Sequence, residues 1–223
     1  MLRPAMSSRP TPGAVFVLCR IARRRPRLLA PNHRESPVMD RATKTPQPPT
    51  EAPMELDQEA INRARSDIDD GAVTPSAGPW VKQIIGFLND SLATELVCVM
   101  RYRRHYFTAS GLASPAIAEE FLEHANDELG HADRIAERIV QLGGEPDFRP
   151  SGLEKRSHAE YDDSKDIRAM LRANLVAERV AVETYRQLIR LIGDKDPTTR
   201  RLLEDVLADE EQHADELKDM LNR

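Results

Sequence analysis

At 223 residues, with 40% hydrophobic and 31% charged content, the chain has the balance of a soluble globular protein and room for one good-sized domain plus an extension. A net charge of −5 argues against a chain that binds nucleic acid through overall basicity, and 4% aromatic content with recurrent Leu, Ala, Glu and Arg favours helices over strands. Cys19 and Cys98 form no CxxC pair, which argues against a disulfide framework or a zinc ribbon and fits a reducing, cytoplasmic compartment.

In chain order, residues 1–78 read as a Pro/Arg-rich leader that cannot build a packed core, with a short helix over 54–70 and a break at Thr74-Pro75-Ser76-Ala77-Gly78-Pro79. Met39 and Met54 are alternative starts within it. Its first 27 residues are rich in Arg, so an arm that touches DNA is open, although a solvated leader is the preferred reading. The patch Ala14-Val15-Phe16-Val17-Leu18-Cys19 is too short for a secretion signal and is followed by Arg23-Arg24-Arg25. No apolar run is long enough to span a membrane.

From residue 79 to 223 the periodicity is helical. A first helix is expected from Pro79 to Ala109, with Gly111 closing it, and a second from Pro115 to Gly143-Gly144. A polar connection from Glu145 to about Ser164 precedes a third helix, Lys165 to Ile192, and a fourth from Pro197 almost to the end. The fold class is therefore all-α: an antiparallel four-helix bundle with two short connections and one long crossover.

Each apolar stripe carries a carboxylate near its midpoint: Glu95 between Leu92 and Val99, Glu128 between His124 and His131, Glu178 between Asn174 and Val182, and Glu210 between Val206 and His213. Burying one ionised carboxylate costs several kcal/mol unless it is compensated, and four at one level repel each other. A metal pair removes both costs, and carboxylate oxygens with one imidazole per metal suit iron or manganese. In Glu128-x-x-His131 and Glu210-x-x-His213 the i, i+3 spacing lets both side chains of a helix reach the same ion. The interval from Glu95 to Glu128 nearly equals that from Glu178 to Glu210, so the chain reads as two similar hairpins.

Glu95-Leu96-Val97 with Tyr102, Asp127-Glu128-Leu129-Gly130-His131-Ala132-Asp133-Arg134, Ala177-Glu178-Arg179 and Asp209-Glu210-Glu211-Gln212-His213 together resemble the bacterioferritin branch of the ferritin-like superfamily, over residues 80–222. The resemblance implies a ferroxidase that oxidises ferrous iron with dioxygen or hydrogen peroxide at a di-iron site and stores it as a ferric mineral in a homo-oligomeric shell. It also implies that Glu95 and His131 are terminal ligands of one iron and Glu178 and His213 of the other, with Glu128 and Glu210 bridging. Asp127 and Asp209 would orient ligand histidines, or be solvated helix residues. Tyr102 would hydrogen-bond a ligand, donate an electron, or only pack. His124 reads more readily as a satisfied core or surface-edge histidine than as a third-metal ligand. The methionine expected after the bridging Glu in haem-binding relatives is Leu129 here, so haem is not expected. Only ten residues follow His213, which leaves no room for a fifth helix and leaves the size of the shell open. The alternatives are a di-iron or di-manganese hydroxylase, peroxidase or catalase without storage, and a DNA-protecting mini-ferritin.

Overall fold

The computed structural model describes residues 54–66, 68–111 and 114–222; the reading of the leader as far as residue 53, including its Arg-rich arm, lies outside them. Among the described residues, α1 (Gln58–Ser66) is short and buries none of its side chains. Two single turns follow, Ile68–Asp70 and Pro75–Ala77, before the long helices begin.

Four helices build the bundle: α2 (Val81–Thr108), α3 (Ser114–Gln141), α5 (Ile167–Ile192) and α6 (Pro197–Asn222). Each lies within two residues of the expected bounds. α2 packs along α3 and α5 along α6, giving two hairpins. The Asp166 carboxylate caps α5 by accepting from the Ala169 amide at 2.9 Å. Asp196 does the same for α6 through Thr199, at 3.0 Å, and also accepts both contacts from the Arg138 guanidinium at 2.9 and 3.0 Å. The end of α3 is thereby tied to the start of α6.

The crossover from α3 to α5 is a built segment. Gly143, at φ 77°, ends α3 in the left-handed region. A Cβ on the next residue, Gly144, would stand 2.8 Å from Ile85 Cγ2, so the chain can pass this close to α2 only without a side chain. Arg156 then donates to the Asn89 and Asp147 carbonyls, each at 2.9 Å. The short helix α4 (Leu153–Arg156) presses Leu153 onto Ala93 and Val97 of α2.

Two apolar clusters fill the bundle. One joins Leu88, Leu92, Ile135, Ile139, Leu188, Ile192 and Leu203; the other joins Tyr102, Phe121, Met170, Leu171 and Leu217. Along every long helix the glutamate of the stripe falls between the two clusters. By length and composition alone α2 is apolar enough to cross a membrane, but 56% of that window is buried in the bundle, so its apolarity is that of a core helix.

Candidate metal centre

Four helices bring Glu95 (α2), Glu128 and His131 (α3), Glu178 (α5), and Glu210 and His213 (α6) into one layer, and none of the six is more than 4% exposed. Their donor atoms form two overlapping sets, Glu95–Glu128–His131–Glu210 and Glu128–Glu178–Glu210–His213, with all donors of a set within 4.8 Å of one another. Glu128 and Glu210 are common to both. All six residues singled out in the sequence therefore converge, and the two shared carboxylates are the two expected to bridge.

Each histidine turns Nδ1 inward. His131 Nδ1 lies 3.3 Å from Glu128, 3.4 Å from Glu95 and 3.5 Å from Glu210, while its Nε2 lies 3.1 Å from Asp209 on α6. His213 repeats the pattern: Nδ1 is 3.8 Å from Glu210, and Nε2 is 3.4 Å from Asp127 on α3. A carboxylate holding the outer nitrogen fixes the ring and leaves the inner one to a metal. The Asp127 and Asp209 side chains are half exposed, and they border a pocket over the two rings with Gly130, Arg134 and Gln212.

Two tyrosines close the layer from the inside. Tyr102 donates its hydroxyl to Glu178, and Tyr185 donates to Glu95. Tyr102 is the candidate named from the sequence. Tyr185 is not singled out there, yet it stands seven residues after Glu178 as Tyr102 stands seven after Glu95, and that repeat is the signal that could have found it. Arg101 gave no such signal. Fully buried, it donates to Asn174 Oδ1 at 2.8 Å, to the Glu160 carbonyl at 3.2 Å and to Cys98 Sγ at 3.4 Å. A buried guanidinium beside Glu178 and Glu128 offsets part of their charge.

Burial and mutual charge shift the titrating groups of the layer in opposite senses. Burial and the surrounding carboxylates hold Glu128 and Glu210 well above the usual carboxylate range. Burial also pushes Glu95 up, but the neighbouring His131 and Glu128 and the Tyr185 hydroxyl outweigh it and leave Glu95 below its ordinary value. His131 is pulled down by burial and raised further by the Glu128, Glu210 and Glu95 carboxylates around its Nδ1, ending well above an ordinary histidine. Protons thus carry positive charge into the layer. Even so, Glu95 Oε2, Glu128 Oε1, Glu178 Oε2, both Glu210 oxygens and His213 Nδ1 are buried without a hydrogen-bond partner. Orphaned buried acceptors on four helices, all turned to one layer, fit a pair of metal ions.

A family model described as a ferritin-like domain matches residues 85–223. The bacterioferritin of Mycobacterium avium is 28% identical over 140 residues, covering 62% of this chain and 84% of that relative. A nutrient stress-induced DNA-binding protein of Synechococcus sp. is 31% identical over 137 residues, covering 59% of this chain and 77% of that relative. Among solved structures, the dodecameric thioferritin of Bacteroides fragilis, a bacterioferritin-related protein, superposes with a TM-score of 0.62 at 28% identity, covering 74% of this chain and 94% of that one.

Proposed function

The chain belongs to the ferritin-like family, and from that premise we propose that it is a ferroxidase that takes up ferrous iron, oxidises it and retains it in a homo-oligomeric shell. The observation that carries the reading is the layer of four buried glutamates whose orphaned oxygens meet two inward Nδ1 atoms. Ferrous iron is the substrate. Two ions bring four positive charges to four carboxylates, so the layer becomes neutral when both are held and its bound protons leave.

In this reading Glu95 and His131 hold one ion, Glu178 and His213 hold the other, and Glu128 and Glu210 reach both. The residues supply positioning and proton control. Asp209 and Asp127 keep the outer nitrogens of His131 and His213 protonated. Tyr102 and Tyr185 fix Glu178 and Glu95 by one hydroxyl each, so each of these carboxylates offers its second oxygen inward. Two ferrous ions give up one electron each; dioxygen accepts both with two protons and leaves as hydrogen peroxide, or peroxide accepts them with two protons and leaves as two waters. The oxygen and nitrogen donors suit manganese as well as iron.

The shell is supported by the dodecamer of the Bacteroides fragilis relative. The exposed apolar side chains Phe107, Val140, Val176 and Leu191, each more than half exposed, supply surface for such contacts.

Ferrous iron added in air to the purified protein tests the reading. Rapid oxidation with many irons retained per closed oligomer is expected, and Glu128→Ala or His131→Ala should abolish the fast phase while the bundle still folds. Wild-type rates in those variants would overturn the site. Two metals per chain in a small oligomer with no mineral would instead make the chain a di-iron or di-manganese redox enzyme. The name of the Synechococcus relative favours a second activity, DNA binding through the Arg-rich leader. Retardation of DNA that weakens with salt and vanishes on deletion of residues 1–53 would support it.

A further inference from the structure

We propose that Glu120, His124 and Glu216 form a third divalent-cation site, which delivers ions to the Glu178 side of the buried pair. His124 Nε2 lies 3.1 Å from Glu216 Oε2 and 3.6 Å from Glu120 Oε1, and the three donors all lie within 4.8 Å of one another. Ligands bound at about 2.1 Å and at right angles around one ion are themselves about 3.0 Å apart, so these separations need little adjustment to close on a cation. Two carboxylate oxygens and one imidazole nitrogen suit ferrous iron, manganese or zinc rather than calcium, which takes more ligands and only oxygen.

The hydrogen-bond directions point the same way. The Tyr102 hydroxyl has one proton and gives it to Glu178. Its oxygen can then only accept from His124 Nδ1, which lies 3.2 Å away. In a neutral ring this leaves Nε2 with its lone pair facing two carboxylates. Nε2 and the Glu216 oxygen, two acceptors 3.1 Å apart, call for a positive charge between them, either a metal or a proton on Nε2.

His124 also joins two environments. Its ring is 1% exposed and stacks on His213 with centroids 4.0 Å apart, and it shares a second donor set with Glu178 and His213. The Glu120 and Glu216 side chains are 27% and 36% exposed. A single imidazole therefore stands between carboxylates that reach water and a centre whose six residues are at most 4% exposed.

The site breaks the internal repeat of the chain. Glu128 and His131 on α3 correspond to Glu210 and His213 on α6. Carried across by the same interval, Glu120, His124 and Glu216 correspond to Leu202, Val206 and Arg134. None of those three ligates a cation, and Arg134 pairs with Asp205 instead. The extra ligands on one side are therefore not a by-product of the two-fold pattern that builds the centre.

The delivery role rests on the ferroxidase reading; the site itself does not. Crystals grown with zinc, which fills sites without being oxidised, test both by anomalous scattering. Three ions per chain are expected, the third between Glu120, His124 and Glu216. In Glu120→Gln/Glu216→Gln the third should disappear while the two buried positions still fill. Two buried ions with no peak at the cluster in the wild type would mean that a proton on His124 holds the carboxylates, and would overturn this proposal alone. No ion at any of the positions would overturn both. With ferrous iron, the double variant should load the buried pair more slowly; loading at the wild-type rate would remove the delivery role.

Discussion

Tyr185 on α5 donates its hydroxyl to Glu95 on α2, 90 residues away in the chain. Its counterpart runs the other way: Tyr102 on α2 donates to Glu178 on α5. The histidines cross in the same manner, with His131 of α3 held by Asp209 of α6 and His213 of α6 held by Asp127 of α3. These four supporting contacts to the proposed ligands therefore all span the two hairpins.

If the tyrosines orient the terminal carboxylates, Tyr185→Phe and Tyr102→Phe should each weaken metal binding by roughly 10–100-fold, the range typical for partners that hold a ligand in place. Anaerobic calorimetric titration with ferrous iron measures this. Unchanged affinity in both variants would reduce the pair to packing.

Removing one crowded carboxylate should stabilise the metal-free protein. Glu128→Leu keeps the side-chain volume close and deletes an orphaned buried oxygen, while His131 keeps Glu95 and Glu210 beside it, for a gain of about 1–3 kcal/mol, the cost of an unsatisfied buried polar group. Urea unfolding without metal should show a higher midpoint, and added metal should no longer raise it. A lower midpoint in the variant would mean that the four carboxylates do not oppose folding.

The pH dependence of the metal-free protein follows from the direction of the shifts. Glu128, Glu210 and His131 hold protons more tightly in the folded chain than their ordinary values of 4.5 and 6.5. Such groups stabilise the fold fully below those ordinary values and lose that contribution as pH rises through the folded ones. Glu95, shifted down, works in the opposite sense but is one group against three. The Tm of the metal-free protein should therefore fall as pH rises past about 6.5, the ordinary value for histidine. Metal uptake should release protons, detectable with an indicator, and should tighten with rising pH. A metal-free Tm that climbs over this range would contradict the proton-filled layer.

At the hairpin junction, Asp196→Ala removes the cap of α6 and strands Arg138, whose side chain is 12% exposed. The expected loss is about 2 kcal/mol, a cap plus part of a sheltered ion pair. Hydrogen bonds from Thr199 and Arg138 outweigh burial and hold the Asp196 carboxyl low, so its contribution persists above the ordinary carboxylate range and is lost only as pH falls through the folded value. Denaturation of the variant at neutral pH is the check, and a loss under a few tenths of a kcal/mol would show the junction to be held elsewhere.

The helices and the convergence of the glutamates and histidines were legible because a glutamate inside an apolar stripe contradicts its surroundings, and four such contradictions at one level admit few explanations. Asp127 and Asp209 read in the sequence either as histidine partners or as solvated helix residues, and the opposite helix is needed to see them beside His213 and His131. Tyr185 and Arg101 were not legible. A tyrosine agrees with an apolar stripe, so nothing marks its hydroxyl as engaged until the opposite helix is in view. Arg101 looks like a solvated residue, and its burial depends on Asn174 and on the Glu160 carbonyl from the crossover, whose path no periodicity predicts.

The crossed contacts have a further consequence for how the chain is held together. In the proposed ligand sets each ion draws three residues from one hairpin and a fourth, Glu210 or Glu128, from the other. Neither half owns a complete site. Loading the centre is therefore also a clasp between two halves that could otherwise part, and a peptide comprising a single hairpin would recover a full set of ligands only by pairing with a second copy of itself.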